Sequence, residues 1–587
     1  MPTSPDAKRA RVEEVTVSPS KPSMPGALGL TPVQSEVRAT SPCNKRTESE
    51  DTIMDIVEVM DAPSCQEVAQ QQETRIQFHS SLNMYSMARG VRLSGIVCTI
   101  GPASREPATL LQLIESGMNI ARMNFSHGTH EYHAKTIANC RLASDMFREK
   151  HGANVNLAIA LDTKGPEIRT GLLLGDDGRK EIRLTSGSTI KITTEEQFKE
   201  ACTEEVVWVD YQHITNVMEV GKKLFIDDGL ISVRCTKVCE GFFLGVVEDS
   251  GNLGSKKGCN LPGTNVGLPA LSEKDKLDLA FGIEQGVDMV FASFIRNAEG
   301  VEQIREVLGE KGKNIWVIPK IENQQGMKNL AEIITVSEGI MVARGDLGIE
   351  VPAEKVFIAQ KKIIADCNMA GKPVICATQM LESMVKNRRP TRSEANDVAN
   401  AVMDGADCVM LSGETAKGDF PDTCVRMMAK ICTEAESCLW AERSFEDMIH
   451  ATTKDHKVTD ITTTSTLSAV LASYQCKAAA IVVLTTSGKS ARQLTKYKPR
   501  CPIITVTRSE QLARQMQLFR GCIPLHYSTP QTGDWVQDVD DRIQFGINFG
   551  RQSKFISAGS NVVLVSGWRK GTGWSNTIRI ITVESTV

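Results

Sequence analysis

From about residue 93 the chain falls into short apolar, β-branched runs separated by segments of amphipathic helical spacing. The runs are GIVCTIG (from 95), NIARMNF (119), NLAIALD (156), DMVFASF (288), IWVIPKI (315), GIMVARG (339), PVICATQ (373) and DCVMLSGE (407). Between most of them lies a helix-length segment such as EPATLLQLIESG or AEKVFIAQKKIIADCNMAG. Near-continuously apolar strands alternating with helices predict an α/β fold whose parallel sheet closes into a (β/α)8 TIM barrel.

One connection breaks the period. After the third run come EIRLTSGSTIKITT, KLFIDDGLISVRC and GFFLGVVEDSGNLGS, which alternate and carry hairpin-like turns. They predict a small β-barrel domain inserted after strand 3. Near the C-terminal end KAAAIVVLTT, CPIITVT and NVVLVSG read as strands of a separate α/β unit. The expected divisions are 1–75, an N-terminal extension; 76–165 with 269–438, the barrel; 166–268, the inserted β unit; and 439–587, the C-terminal unit.

The extension is rich in Ser, Pro, Thr, Gln and Glu and is expected to be disordered, apart from a short helix at DTIMDIVEVM, residues 51–60. Ser-Pro at Ser4, Ser18 and Ser41 and Thr-Pro at Thr31 fit proline-directed phosphorylation and fit ordinary tail composition equally well. KRAR, from Lys8 to Arg11, reads as a solvated cluster before it reads as a nuclear-localisation patch.

Composition removes several classes of function. With 41% apolar residues, 24% charged and a net charge of −4, the chain has no electrostatic reason to bind nucleic acid or an anionic membrane. Its longest apolar run, AAAIVVL, is too short to span a bilayer. The N-terminus lacks a secretory apolar core, and the 17 cysteines contain no C-x-x-C pair, so reduced thiols and a cytoplasmic location are expected.

In such a barrel the C-terminal strand ends form the active face. They carry Arg122, Asn124 and Ser126; Asp162, Thr163 and Lys164; Lys320 and Glu322; Arg344 and Asp346; Thr378 and Gln379; and Ser412 and Glu414. Any one of these serves equally well as a salt bridge or cap, but all fall at one end of one repeat. Glu322 and Asp346 are hard oxygen donors suited to Mg2+ or Mn2+, without a His or Cys cluster to favour a softer metal. Arg122, Arg169 and Lys320 are cations for phosphate or carboxylate, and Gly345 and Gly348 around Asp346 permit close backbone approach. This set points to phosphoryl transfer by positioning and charge neutralisation. Other phosphate motifs fail: Val483 stands where a Walker A glycine belongs, H-R-D and D-F-G are absent, and GTGWSN ends in Asn576.

ARMNFSHG, LDTKGPEIRTG, GSKKGCNLPG, PKIENQQG, GIMVARGDLGIE, VICATQMLESM and RPTRSEANDVANAVMDGADCVMLSGETAKGDFP resemble the pyruvate kinase family, collinearly from about residue 80 to the C-terminal end. The resemblance implies transfer of the phosphoryl group of phosphoenolpyruvate to ADP, giving ATP and, after protonation, pyruvate. Carried over residue by residue, Glu322 and Asp346 hold the divalent metal, Lys320 neutralises the migrating phosphoryl group and the enolate, and Arg122 grips the substrate phosphate. Gly345, Asp346 and Thr378 hold the substrate carboxylate, while the proton donor stays open between Thr378, Ser412 and water. Asn124, Ser126, Asp162 and Thr163 match a K+ pocket and Glu167 the residue tied to K+ dependence. Asn124 and Ser126 also border the nucleotide, whose phosphates His127, Arg169 and Lys257 meet. The inserted β unit becomes a lid that excludes water. A homotetramer is implied as well.

The C-terminal unit carries IVVLTTSGKS, a strand running through a hydroxyl-rich turn into a helix beginning SARQLTKY. On its residues alone this is first an ordinary capped turn, and second an anion site. The resemblance favours the second, with Thr485, Thr486, Ser487, Gly488, Lys489 and Ser490 cradling fructose 1,6-bisphosphate as an activator. Trp535, Arg542, Arg569, Gly571, Thr572 and Gly573 match the rest of that site. Thr486 stands where some isoforms have lysine, and Lys570 replaces a proline. Two other readings remain: a metal-dependent enolpyruvate lyase or aldolase, which has no use for the K+ pocket or lid, and a catalytically silent regulator, which predicts losses at the rim.

Overall fold

The computed structural model describes residues 66–585 except 89, 153–154, 177–178, 454–458, 532, 570 and 572–573. The helix expected at 51–60, the Ser-Pro and Thr-Pro sites and the Lys8–Arg11 cluster lie outside the described residues. Disorder through residue 75 is corrected from residue 66 onward. Gln66–Gln70 and Arg75–Ser80 are helices, the first held by the Gln70 side chain, which donates to Leu439 O at 2.6 Å and accepts from Ala441 N at 3.2 Å. Tertiary amide contacts of this kind leave no local periodicity.

All eight apolar runs are strands: β1 Gly95–Thr99, β2 Ile120–Asn124, β3 Ala158–Asp162, β4 Met289–Ala292, β5 Trp316–Ile321, β6 Ile340–Ala343, β7 Val374–Ala377 and β8 Cys408–Leu411. They form a closed parallel barrel in which each strand pairs with its chain neighbours and β8 returns to β1. The side-chain period of two sorts the apolar residues into two cores. Ile96, Cys98, Met123, Leu161, Val317 and Val342 face the surrounding helices. Val97, Ile120, Ala160, Phe291, Ile318 and Met341 fill the interior, which is continuous with Leu494, Met516 and Phe519 of the C-terminal unit.

Between β3 and β4 a seven-stranded sheet curls until its edges meet. Thr170 bridges to Val209, Gly171 N donates to Trp208 O at 2.9 Å, and Asp210 N donates to Arg169 O at 3.0 Å. The hairpin read from EIRLTSGSTIKITT does not form. Ile182–Leu184 pairs with Gly251–Leu253, while Thr189–Thr193 pairs with Phe242–Asp249, so long-range partners override the local turn.

The C-terminal sheet contains β9 Ala480–Leu484, β10 Ile503–Thr507, β11 Cys522–His526, β12 Asn561–Gly567 and β13 Ser575–Thr582, in the order β11-β10-β9-β12-β13. Its second face is covered by helix Trp535–Gln552 through Val539, Ile543 and Ile547. No described helix is long and apolar enough to cross a membrane.

Candidate active site

The interior side chains change character at the top of the barrel. Two residues beyond Ile120, Ala160 and Ile318, on the same faces of β2, β3 and β5, stand Arg122, Asp162 and Lys320; Glu322 follows two residues further on. All four are buried. Arg122 Nε donates to Asp162 Oδ2 at 2.6 Å and its Nη1 to Thr99 Oγ1 at 2.8 Å. Lys320 Nζ lies 3.3 Å from Asp162 Oδ1 and 2.8 Å from Glu322 Oε1. Lys320 and Glu322 therefore are an ion pair as well as neighbours on one strand face.

Burial opposes every charge here, so the partners decide the protonation states. Despite its burial, Arg122 and Lys320 hold the Asp162 carboxyl below its usual range. Despite its burial, Asp162 and Glu322 hold the Lys320 ammonium above the usual lysine range. Asp346, in helix Arg344–Glu350 just beyond β6, is pushed up to about 8 by burial and by the neighbouring Glu322 carboxylate. A buried carboxyl whose ionisation a neighbouring carboxylate opposes wants a cation between the two. Glu322 Oε1 has no hydrogen-bond partner, and its contact with Lys320 is an ion pair. A carboxylate oxygen met only by the Lys320 ammonium, beside a second carboxyl, fits Mg2+ or Mn2+. Among the described residues no group of three or more His, Cys, Asp or Glu side chains is arranged for a metal, so water or substrate oxygens would complete the shell.

Thr378 and Gln379 follow β7 with φ +68° and +54°, in the left-handed region. That turn brings Thr378 Oγ1 within 2.7 Å of Gly345 N, from which it accepts, and 2.6 Å of Ala377 O, to which it donates. Gly345, Asp346 and Thr378 thus meet at one rim. Arg344 turns away to Asp397 at 2.7 Å and to Thr378 O at 2.7 Å, and the fully buried Glu414 carboxylate accepts from Leu381 N at 3.1 Å and Ser412 N at 2.7 Å. These two strand-end charges brace loops.

Next to Asp162, Thr163 O and Oγ1 both bond Ser293, and Asn124 Oδ1 accepts from Ser126 N at 3.1 Å. His127 lies on the exposed loop that follows. In the β unit, Arg169 pairs with Glu167 at 2.6 Å and Lys257 with Asp227 at 2.9 Å. Burial raises the Glu167 carboxyl, which Arg169 pulls back down. A cleft of about 550 Å³ runs under this unit and reaches Glu322 past Phe294, Arg296 and Glu350.

Sequence reasoning missed Thr99 and Ser293. Both stand two residues beyond interior positions, Val97 and Phe291, so the parity that exposes Lys320 would have found them.

A second cleft, of about 540 Å³, lies in the C-terminal unit. It is lined by Thr485, Thr486, Ser487, Lys489 and Ser490, facing Trp535, Arg542, Arg569 and Gly571. Gly488, with φ +79°, is the N-cap of helix Lys489–Lys496, and its N–H donates to Thr485 Oγ1 at 3.0 Å. Arg542 is held by Asp538 at 2.8 Å above the Trp535 ring, and Arg569 stacks 3.5 Å from the Trp574 ring. Lys570, Thr572 and Gly573 lie outside the described residues.

Residues 91–425 match the protein family described as "Pyruvate kinase, barrel domain", and residues 464–581 match "Pyruvate kinase, alpha/beta domain". The chain is 51% identical to "Pyruvate kinase PKLR" of Rattus norvegicus over 503 residues, covering 86% of this chain and 87% of that protein. The human protein of the same name gives the same figures of 51%, 86% and 87%. "Pyruvate kinase 1" of Saccharomyces cerevisiae is 47% identical over 511 residues, covering 87% of this chain and 100% of that protein. The chain belongs to the pyruvate kinase family and is a phosphotransferase of glycolysis.

Proposed function

We propose that the chain transfers the phosphoryl group of phosphoenolpyruvate to ADP at the rim formed by Arg122, Lys320, Glu322, Gly345, Asp346 and Thr378. The observation that carries this reading is the two-residue step from apolar interior to Arg122, Asp162, Lys320 and Glu322 on three strands. Arg122, fixed by Asp162 and Thr99, holds the substrate phosphate. Lys320, kept protonated by its carboxylate neighbours, meets the phosphoryl group in flight and the enolate left behind. The substrate carboxylate lies against the Gly345 and Asp346 backbone and Thr378, beside the carbon that takes the proton. Glu322 and Asp346 hold Mg2+ or Mn2+, which when bound neutralises phosphoryl and carboxylate charge. Asn124, Ser126, Asp162 and Thr163 hold K+, and Glu167 supports its use. His127, Arg169 and Lys257 receive the nucleotide phosphates when the unit at 166–268 closes over the barrel of 76–165 and 269–438. Pyruvate formation followed through a coupled reaction should require phosphoenolpyruvate, ADP and Mg2+ together and rise with K+; no pyruvate in any of these mixtures would overturn the reading.

The cleft at Thr485–Ser490, in the unit at 439–587, supports binding of fructose 1,6-bisphosphate, with hydroxyls and amides at one phosphate and Arg542 and Arg569 at the other. The proposed effector raises apparent affinity for phosphoenolpyruvate in a cytoplasmic homotetramer. Arg542→Ala should abolish that response, and a parental response from this variant would remove the assignment.

A further inference from the structure

At the end of β4 the chain turns through Ser293 and Phe294, and neither has a part in the roles above. Phe294 has φ +56°, a left-handed conformation that a residue with a bulky side chain seldom adopts. The turn aims its amide at the metal-site carboxylate: Phe294 N donates to Glu322 Oε2 at 2.5 Å. One residue earlier, Ser293 Oγ accepts from Lys320 Nζ at 2.9 Å and donates to Thr163 O at 2.6 Å, while Ser293 N donates to Thr163 Oγ1 at 3.1 Å.

An ammonium only donates, so the Ser293 hydroxyl takes a bond from Lys320 and gives its own proton to an acceptor, Thr163 O at 2.6 Å or the more distant Asp162 Oδ1 at 3.3 Å. Ser293 is 4% exposed, so solvent offers little substitute. The Lys320 ammonium lies between two carboxylates, at 3.3 Å and 2.8 Å, which by themselves fix it along one line only. The hydroxyl supplies a third, uncharged point of attachment. Room for the turn is reserved by Gly165, where a Cβ would come within 2.8 Å of Ser293 Cβ and 2.9 Å of Phe294 Cδ2. A backbone held off its preferred region this way persists when its surroundings over-determine it, as they do here.

We propose that the Ser293–Phe294 turn positions the reacting groups, the Ser293 hydroxyl setting the Lys320 ammonium and the Phe294 amide setting the Glu322 carboxylate. The inference rests on the roles proposed above for Lys320 and Glu322, and the two arms of the turn are separable. Removing the hydroxyl disturbs turnover, while removing the amide's direction disturbs the metal.

The test uses the full-length chain and four variants, Ser293→Ala, Phe294→Gly, Phe294→Val and Lys320→Met. It measures kcat, KM for phosphoenolpyruvate, Tm, and Mn2+ binding by electron paramagnetic resonance without substrates. Ser293→Ala should lower kcat roughly ten- to hundredfold, as loss of one bond to a charged group does, with KM and Mn2+ affinity within about twofold. Phe294→Gly keeps the left-handed backbone and should bind Mn2+ as the parent does. Phe294→Val also removes the ring but resists that backbone, and should bind Mn2+ at least about fivefold more weakly. Parental kcat in Ser293→Ala, a rate loss there matched by equal losses in Mn2+ binding and Tm, or equal Mn2+ binding by the Gly and Val variants would each overturn the proposal. If Lys320→Met turned over normally, the role of Lys320 would fall and the inference with it. If Lys320→Met were inactive while Ser293→Ala was not, the inference alone would fall.

Discussion

Lys320 and Glu322 contact each other, yet their surroundings differ enough to separate what each does. Lys320 is tied to Asp162 and Ser293 by hydrogen bonds, whereas Glu322 Oε1 has no hydrogen bond and its carboxylate raises the cost of ionising Asp346. Lys320→Met should therefore lower turnover by about two to three orders of magnitude, as loss of a preorganised charge at a reacting group does, with Mn2+ affinity largely kept. Glu322→Ala should weaken Mn2+ binding itself. Equal weakening of Mn2+ binding by both, with turnover recovered at saturating metal, would reassign Lys320. Asp346 adds a pH dependence. Its carboxyl titrates at about 8 in place of the ordinary 3.8, so the metal-free fold holds a proton that the unfolded chain has lost. That contribution to stability is present below 3.8 and lost as pH rises to about 8. A metal must displace the same proton, so apparent Mn2+ affinity should fall up to about tenfold per pH unit below 8 and level off above it. A flat Mn2+ titration series from pH 6 to 9 would contradict this. Arg122, Asp162, Lys320 and Glu322 were legible because strand parity carries them inward, and Asp346 because it follows a strand end directly. Thr99 and Ser293 were passed over because an uncharged hydroxyl at a strand end does not stand out until the partner it faces is known.

Elements were legible where a run stays apolar on both faces, as in the eight barrel strands and in β9, β10 and β12. β11 and β13 were not. β11 is an edge strand interrupted by Pro524, tolerated there because an edge can spare a donor, and β13 is half exposed on its far side. The β unit was legible as a class but not in its pairings, since Ile182–Leu184 finds its partner some seventy residues away, at Gly251–Leu253. The turn proposed to take the effector, Thr485–Ser490, joins a legible strand to a legible helix, and its geometry hinges on Gly488. At φ +79° a Cβ would be strained and would lie 3.0 Å from Leu512 Cδ1 and 3.3 Å from Met516 Sδ. Strain of this kind costs about 1–3 kcal/mol, which is relieved only by opening the turn. Gly488→Ala should thus weaken fructose 1,6-bisphosphate binding by about tenfold or more in calorimetric titration, with effector-free activity at saturating substrate unchanged. Parental affinity in the variant would mean that the left-handed cap is not what shapes the site.

At the scale of the molecule, the barrel interior does not end at its lower rim. Apolar side chains from the strands run directly into Leu494, Met516, Leu518 and Phe519, so the C-terminal unit seals the barrel. Buried polar ties cross the same boundary. Arg514 Nε meets Asp288 Oδ1 at 2.9 Å, Asn156 Nδ2 donates to Pro524 O at 2.7 Å, and Arg520 N donates to Asp407 Oδ1 at 3.1 Å. Sequence periodicity separates the two units but says nothing of this seal, because the same interior positions would be apolar whether capped or filled by their own side chains. Lys498 is the group through which the seal should respond to pH. It follows helix Lys489–Lys496, is half-buried at the boundary, and donates to Gly405 O of the barrel. Burial lowers its ammonium from the ordinary 10.5 to about 8, with Asp407 opposing the shift. Below pH 8 the ammonium is charged in folded and unfolded chains alike, and the fold carries the cost of its desolvation. Between about 8 and 10.5 the unfolded chain holds more protons than the folded one, so stability rises with pH across that window. Lys498→Met lacks the titrating ammonium. Relative to the variant, the parent should gain about 3 kcal/mol from pH 7.5 to pH 10.5, read from urea unfolding of both chains at both pH values. Parallel changes in parent and variant would show that the Lys498 ammonium is not under strain at the seal. A shift confined to the parent would place the pH response at the junction that joins helix Lys489–Lys496 to the barrel.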